Sequence, residues 1–188
     1  VLAIPRGGVE VAHPIARELK APLDLIIPRK IGAPFNPELA IGAVAPDGTT
    51  LLQPGWESFG LDEERLRQVV ERELKEIQRR MTAYRGEVPE PAVEGRTVIL
   101  VDDGIATGFT VEAALESLRR RPLQKLILAV PVAPPDTVRR LQPKVDEIVC
   151  LLIPHDFYAV GQFYDDFGQT EDAEVVRLLK DSARTGRG

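Results

Sequence analysis

Short apolar runs alternate with amphipathic segments along most of the chain. The runs that predict strands cover residues 1–4, 22–28, 97–101, 124–130 and 146–153. Apolar residues recur at helical spacing over 9–20, 111–121, about 136–142 and 170–180. Strands that alternate with helices imply right-handed crossovers and a parallel sheet covered on both faces. We therefore predict an α/β fold, doubly wound around a five-stranded parallel sheet.

The stretch 38–86 interrupts this alternation and predicts an inserted hairpin followed by a long helix. Two apolar runs flank "PDG" at 46–48, which is a strong hairpin signal. The amphipathic pattern from Asp62 to Tyr84 predicts a helix capped by Asp62 and ended by Gly86. Such a helix packs either on its own domain or against a sister subunit, so a homodimer stays open. We expect a single domain over 1–188 and a flexible tail at 181–188.

Composition and charge narrow the class of protein. The 188 residues carry a net charge of -5, which argues against general electrostatic binding of nucleic acid. The single cysteine allows no intrachain disulfide, which favours a reducing compartment. No run approaches the ~18 apolar residues of a membrane helix. We therefore predict a cytoplasmic protein with no membrane or nucleic-acid partner and with small-molecule ligands.

Two glycine-bearing segments follow predicted strands and are candidates for a ligand site. They are "PRGG" at 5–8 and "DDGIATGFT" at 102–110. In doubly wound sheets, ligands bind beyond the carboxyl ends of the strands, where the strand order reverses. If the two preceding strands are neighbours there, the two segments face one another across a crevice.

The second segment suits a sugar phosphate. It leads into a helix, predicted to have Thr110 as N-cap, so the backbone amides of 106–110 can hold a phosphate, with the Thr107 and Thr110 hydroxyls as further donors. Asp102 and Asp103 suit a ribose diol or contact with a hydrated Mg²⁺. The alternative is an acidic strand-to-helix turn with no ligand, although two adjacent carboxylates beside a buried strand are costly without partners.

Basic residues near the same end of the sheet suggest a polyanionic ligand. Arg6 offers a planar fork to an anion, and Gly7 and Gly8 permit a close approach of the backbone. Arg29 and Lys30 directly follow the second predicted strand. Basic residues at strand ends are also often merely solvated.

The run "VILVDDGIATGFT" resembles the PRPP-binding motif of the type I phosphoribosyltransferases, and the supporting motifs occur in family order. "PRGG" is similar to the pyrophosphate loop, with a cis peptide expected at Arg6-Gly7, and Arg29-Lys30 is similar to the basic pair before the mobile catalytic loop. The stretch 154–169 is similar to a base-binding hood. The PRPP contacts implied by the resemblance are Arg6, Gly7, Gly8, Asp102, Asp103, Ala106, Thr107, Gly108, Phe109 and Thr110.

The same resemblance implies the chemistry. The catalytic residues would be Arg29, Lys30, Asp102 and Asp103, the base would contact Tyr158 and Val160, and Asp165 would lie on the metal side. Mg²⁺ would accompany PRPP, a loop over about 31–37 would close on the site, and a nitrogen acceptor would displace pyrophosphate.

The sequence departs from the family pattern at two positions of this loop. Ala106 replaces the acid of the purine 6-oxo members, so no general base is evident there, and Glu38 is a loose candidate. Phe109 stands where a small residue is usual, pointing either into the phosphate site or outward. These departures leave open a second hypothesis, a non-catalytic PRPP or nucleotide sensor.

Overall fold

The computed structural model describes residues 1–86 and 90–185, and residues 87–89 and 186–188 lie outside the described part. Its strands are β1 (Leu2–Ala3), β2 (Asp24–Leu25), β3 (Arg29–Ala33), β4 (Asn36–Val44), β5 (Thr50–Leu52), β6 (Thr97–Val101), β7 (Lys125–Val132) and β8 (Glu147–Leu152). Its α-helices are α1 (Gly7–Glu18), α2 (Glu63–Arg85), α3 (Phe109–Arg119), α4 (Pro135–Leu141) and α5 (Asp172–Thr185).

The main sheet confirms the predicted fold. It has five parallel strands in the order β2-β1-β6-β7-β8. The chain moves outward from β1 to β2 and then returns to place β6 on the other side of β1, with Ala3 beside Val101. The strand order therefore reverses between β1 and β6, which is where an open α/β sheet forms its ligand crevice.

A second, antiparallel sheet corrects the prediction for the segment after β2. Its order is β3-β4-β5, and Arg29 and Lys30, predicted to follow the second strand at the ligand end of the main sheet, begin β3 instead. The segment 31–37, predicted to be a mobile loop, is largely the pairing of β3 with β4. Gly32 permits this pairing because a Cβ there would lie 2.4 Å from the carbonyl oxygen of Pro37.

Helices cover the two faces of the main sheet with separate apolar cores. Val111, Leu115 and Leu141 belong to the core on the side of α3 and α4. Val9 and Val175 belong to the opposite core, which also contains α2. A doubly wound sheet needs both layers because its central strands are apolar on both faces.

The long helix packs on its own domain in this structure. Ile77, Met81 and Tyr84 are buried against the core that α1 and α5 also line. The predicted caps are confirmed, since the Asp62 carboxylate accepts a hydrogen bond from the Arg65 amide at 2.8 Å and Gly86 ends the helix.

The closing helix is longer than predicted. Residues 181–185, expected in the flexible tail, form the last turn of α5, while 186–188 lie outside the described residues. None of the helices in the described part is long and apolar enough to cross a membrane.

Candidate functional site

The loop from β6 to α3 has the shape of an anion-binding turn. Gly108 is the N-cap of α3 with a φ of 78°, a left-handed conformation that favours glycine. The prediction of Thr110 as N-cap is therefore wrong, because the helix already begins at Phe109. The earlier start places the amides of the first turn next to the loop, where the positive end of the helix dipole favours an anion.

Two side chains of α4 hold this loop from its outer side. The Thr137 hydroxyl donates to the carbonyl oxygen of Ala106 at 2.8 Å, and the Arg140 guanidinium donates to that of Thr107. In a planar trans peptide the carbonyl oxygen and the following N–H point in opposite directions. The amides of Thr107 and Gly108 consequently point away from α4.

The sequence alone does not predict that Thr137 and Arg140 contact this loop. A threonine and an arginine on a short helix look like part of a solvated face, and only the tertiary fold brings them against the loop. Thr137 is nevertheless buried, with 6% of its surface exposed. The feature that identifies Thr137 is a buried hydroxyl bonded to a loop carbonyl, and this feature is visible only in the folded structure.

Asp102 and Asp103 lie at the carboxyl end of β6, as predicted. Oδ1 of Asp102 accepts a hydrogen bond from the Asp103 amide at 2.9 Å. Burial, and then the charge of Asp103, raises the pKa of Asp102 well above its usual range. Burial also raises the pKa of Asp103, to which the charge of Glu10 contributes. The folded protein therefore holds two crowded acids that hydrogen-bond donors or a cation would stabilise.

The glycines of the first loop meet these acids directly. A Cβ on Gly7 would lie 1.9 Å from Oδ2 of Asp103, and one on Gly8 would lie 3.0 Å from the carbonyl oxygen of Val101. Any larger residue at Gly7 would displace the Asp103 carboxylate. The structure thus brings the two predicted loops together across the sheet edge.

Arg6 is turned toward the helical layer. Its guanidinium pairs with Asp172 of α5 at 3.5 Å, and Asp172 also accepts a hydrogen bond from the Tyr84 hydroxyl at 2.7 Å. The cis peptide in this loop joins Pro5 and Arg6, so its prediction at Arg6-Gly7 is wrong by one residue.

The segment predicted as a hood lies against the start of the loop from β6 to α3, residues 102–108, which we call the phosphate loop after its predicted role. A Cβ on Gly104 would lie 2.5 Å from Cγ1 of Val160, so hood and loop are in contact. The Tyr164 hydroxyl donates to the carbonyl oxygen of Asp103 at 2.5 Å. Tyr158 leaves 88% of its surface exposed and presents an open aromatic face. The sequence does not predict this anchoring role of Tyr164.

The two hood acids differ in position. Both are exposed, but only Asp166 lines the cavity of 240 Å³ that Gly7, Asp103 and Tyr164 also line. Among the described residues, no group of three or more His, Cys, Asp or Glu side chains is arranged to hold a metal ion.

Arg29 and Lys30 are not brought to this crevice. They line a separate cavity between β3, β4 and the first half of α2, where Nε of Arg29 donates to Glu73 at 2.8 Å. The Glu38 side chain lies outside the described part of the structure.

Phe109 packs against the second sheet rather than standing alone. It contacts the small apolar cluster of Ala43, Ala45 and Ala113, and the Arg140 guanidinium carbon lies 6.0 Å from its ring centroid. Its bulk is therefore accommodated by alanines on β4 and α3.

Comparison with known proteins decides the family. A model of the phosphoribosyl transferase domain matches residues 1–167. The chain belongs to the phosphoribosyl transferase family.

Proteins similar to this chain include two curated relatives and one solved structure. Mycobacterium tuberculosis strains H37Rv and CDC 1551 each have a protein named "Putative phosphoribosyl transferase", 45% identical over 180 residues. The match covers 95% of this chain but 41% of those relatives, so the chain spans about two fifths of their length. The crystal structure of TT1426 from Thermus thermophilus is 42% identical with a TM-score of 0.79, covering 96% of this chain and 86% of that one.

Proposed function

We propose that the protein transfers the phosphoribosyl group of PRPP to a nitrogen acceptor such as a nucleobase, or a related amide or amine. The bond between C1 of the ribose and the pyrophosphate oxygen breaks, and the pyrophosphate leaves with its electron pair. The acceptor nitrogen forms the new bond to C1 and releases its proton to a base or to solvent. The charge that develops on the leaving group is what the site must stabilise.

The observation that carries the proposal is the outward anchoring of the phosphate loop. Because the carbonyls of Ala106 and Thr107 are bonded to α4, the next two amides face away from that helix. Together with the N-terminus of α3 they form a cradle for the 5'-phosphate, to which the hydroxyls of Thr107 and Thr110 add donors. Gly108 and Phe109 contribute their backbone to the same cradle.

The acids beside the cradle suit the ribose. A diol offers two hydroxyl donors, and Asp102 and Asp103 offer the acceptors at the adjoining strand end. Both carboxylates are destabilised by burial, so donors from a ligand would relieve a cost that the folded protein carries.

The same acids fit a hydrated Mg²⁺ that enters with pyrophosphate. Their crowded oxygens are the hard ligands this ion prefers, directly or through water. Asp165 remains a candidate on the metal side, and Asp166, which shares a cavity with Asp103, is a second. When bound, the ion would neutralise charge on the leaving pyrophosphate.

The hood would receive the acceptor. Tyr158 has an exposed ring on which a planar base can stack, and Val160 lies beside Gly104 at the entrance to the loop. Arg29 and Lys30 would act on pyrophosphate only if the β3–β4 hairpin moves toward the crevice, so we propose hairpin closure as part of the cycle. Arg6, Gly7 and Gly8 complete the pyrophosphate side.

Calorimetric titration of PRPP with and without Mg²⁺ tests the proposal, followed in the same cell by a panel of nucleobases. Metal-dependent binding that increases the affinity for one base is expected. The double variant Asp102→Asn, Asp103→Asn should lose PRPP binding with an unchanged circular dichroism spectrum. Asp136→Asn is the control, since that carboxylate is exposed and pairs with Arg139. Unchanged affinity in the double variant would remove the ribose role, and binding without turnover would favour the sensor.

A further inference from the structure

A large cavity lies between the β3–β4 hairpin and the first half of α2, and we call it the hairpin cavity. Its volume is 770 Å³, and the polar residues that line it are Arg29, Lys30, Arg65, Gln68, Arg72 and Glu73. We propose that the hairpin cavity is a second ligand site, separate from the PRPP crevice, that binds an organic anion through a phosphate or carboxylate group.

A buried carboxylate fixes two of the cations. Glu73 is 6% exposed, and its Oε2 accepts from Nε of Arg29 at 2.8 Å. Its other oxygen accepts from Arg72 at 3.1 and 3.2 Å. Arg29 bonds Glu73 through Nε, which leaves its two Nη groups for a ligand. A guanidinium held in this way loses less side-chain entropy on binding an anion.

The charge of the cavity exceeds what Glu73 can neutralise. Three arginines line it, Arg29, Arg65 and Arg72, and Glu73 is the one acid among its described lining residues. The Arg65 guanidinium has no ion-pair partner among the described residues. The hydrogen bond between Arg65 and Asp62 is donated by the Arg65 backbone amide and leaves the side chain unengaged. A guanidinium without an ion-pair partner, next to other arginines, can bind phosphate or carboxylate through charge-assisted hydrogen bonds.

The rest of the lining is suited to an organic group. Its apolar members are Ala33, Pro34, Pro37, Leu61 and Val69. A cavity of several hundred cubic ångströms that combines apolar residues with converging polar groups has the size and the donors that small-molecule sites use. The charged end of the ligand would therefore face the arginines and its apolar part the hairpin.

The hairpin cavity shares no described lining residue with the two predicted phosphate loops. Residues 6–8 and 102–110 do not line it, and the cavity beside Asp103 has a separate set of walls. With the hairpin in its present position, shifts at 104–110 therefore report binding at the crevice, and shifts at Val69 of α2 report binding in the hairpin cavity.

The test uses phenyl phosphate and inorganic phosphate as probes of ¹⁵N-labelled protein, read by amide chemical shifts. Phenyl phosphate should shift Gly32, Ala33 and Val69 in a saturable manner. Inorganic phosphate should bind there more weakly, because it gains nothing from the apolar wall. Shifts confined to 104–110, or none at millimolar probe, would overturn the inference.

Two matched variants sharpen the result. Arg65→Gln should weaken phenyl phosphate at the hairpin cavity about tenfold, the scale of one charge-assisted hydrogen bond. Arg67→Gln is the control, because Arg67 is exposed and pairs with Glu64 on the same helix. Equal affinities in the two variants would contradict the role of Arg65.

Binding at the crevice and binding in the hairpin cavity can be lost separately. If PRPP gives no shifts at 104–110 while phenyl phosphate still shifts the cavity, the PRPP proposal fails and the second site stands. If PRPP binds at the crevice and neither phenyl phosphate nor inorganic phosphate shifts the cavity amides, the second site is refuted and the PRPP proposal stands.

Discussion

Replacing Thr137 with valine tests whether the phosphate loop is held from outside by α4. The substitution keeps the shape of the side chain but removes the hydroxyl that donates to the Ala106 carbonyl oxygen at 2.8 Å. The loop would then lose one of the two bonds that orient its amides, while the bond from Arg140 to Thr107 remains.

The expected loss of PRPP affinity in Thr137→Val follows from the free energy of a single neutral hydrogen bond. Such a bond contributes about 1 kcal/mol net, and the Ala106 carbonyl is only part-buried, so water can replace part of the loss. If the oriented loop is the form that binds the phosphate, a shift of about 1 kcal/mol weakens PRPP about fivefold.

The assay is calorimetric titration of PRPP with Mg²⁺ into wild type, Thr137→Val and Thr137→Ser. Serine keeps the hydroxyl and loses the methyl group that lies near Gly108, so it should retain most of the affinity. Thermal unfolding of all three reports any general loss of stability. Valine that binds PRPP as tightly as wild type, with serine unaffected, would refute the outward-anchoring argument.

Three further predictions concern charge and the hood. Asp102→Asn should raise the free energy of unfolding at pH 7, because burial raises the pKa of Asp102 and so penalises its ionised form in the folded state. Denaturant titrations should show this gain disappearing as the pH falls to about 4, the unfolded carboxyl value. Hydrogen bonds from Arg79 and Arg80 lower the pKa of Glu76 to about 2, so Glu76→Gln should cost about 0.5 kcal/mol at pH 7 after solvent screening. Denaturant titrations should show that cost fading between about pH 4.5 and 2, and a constant cost would exclude the ion pair as its source. Tyr158→Ala should weaken the acceptor base and leave PRPP affinity unchanged, and equal losses in calorimetry would remove the stacking role.

The sequence predicts the main sheet well because its signals are local and strong. Leu100 and Val101 sit in an uninterrupted apolar run, and such runs are typical of strands buried on both faces. The acids at 102 and 103 follow that run directly, so their place at the strand end could be predicted with it.

The pairing of β3 with β4 was missed because these strands carry conflicting signals. Gly32 and Pro37 are residue types that favour a loop. The structure nevertheless pairs β3 with β4 around them, and Ile31 and Ile41 are fully buried there. Pairings of this kind leave little trace in a single sequence. The same limit applies to Thr137, whose partner lies 31 positions away.

The bond between Tyr164 and Asp103 bears on how this scaffold could diversify. The hood is fastened to a main-chain oxygen, which every residue type supplies, rather than to the carboxylate. The anchor therefore places no demand on the acidic side chain, and the exposed ring of Tyr158 lies elsewhere on the hood. If the hood receives the acceptor as proposed, exchange of hood side chains would change which acceptor is recognised and would leave the loop that follows β6 in place.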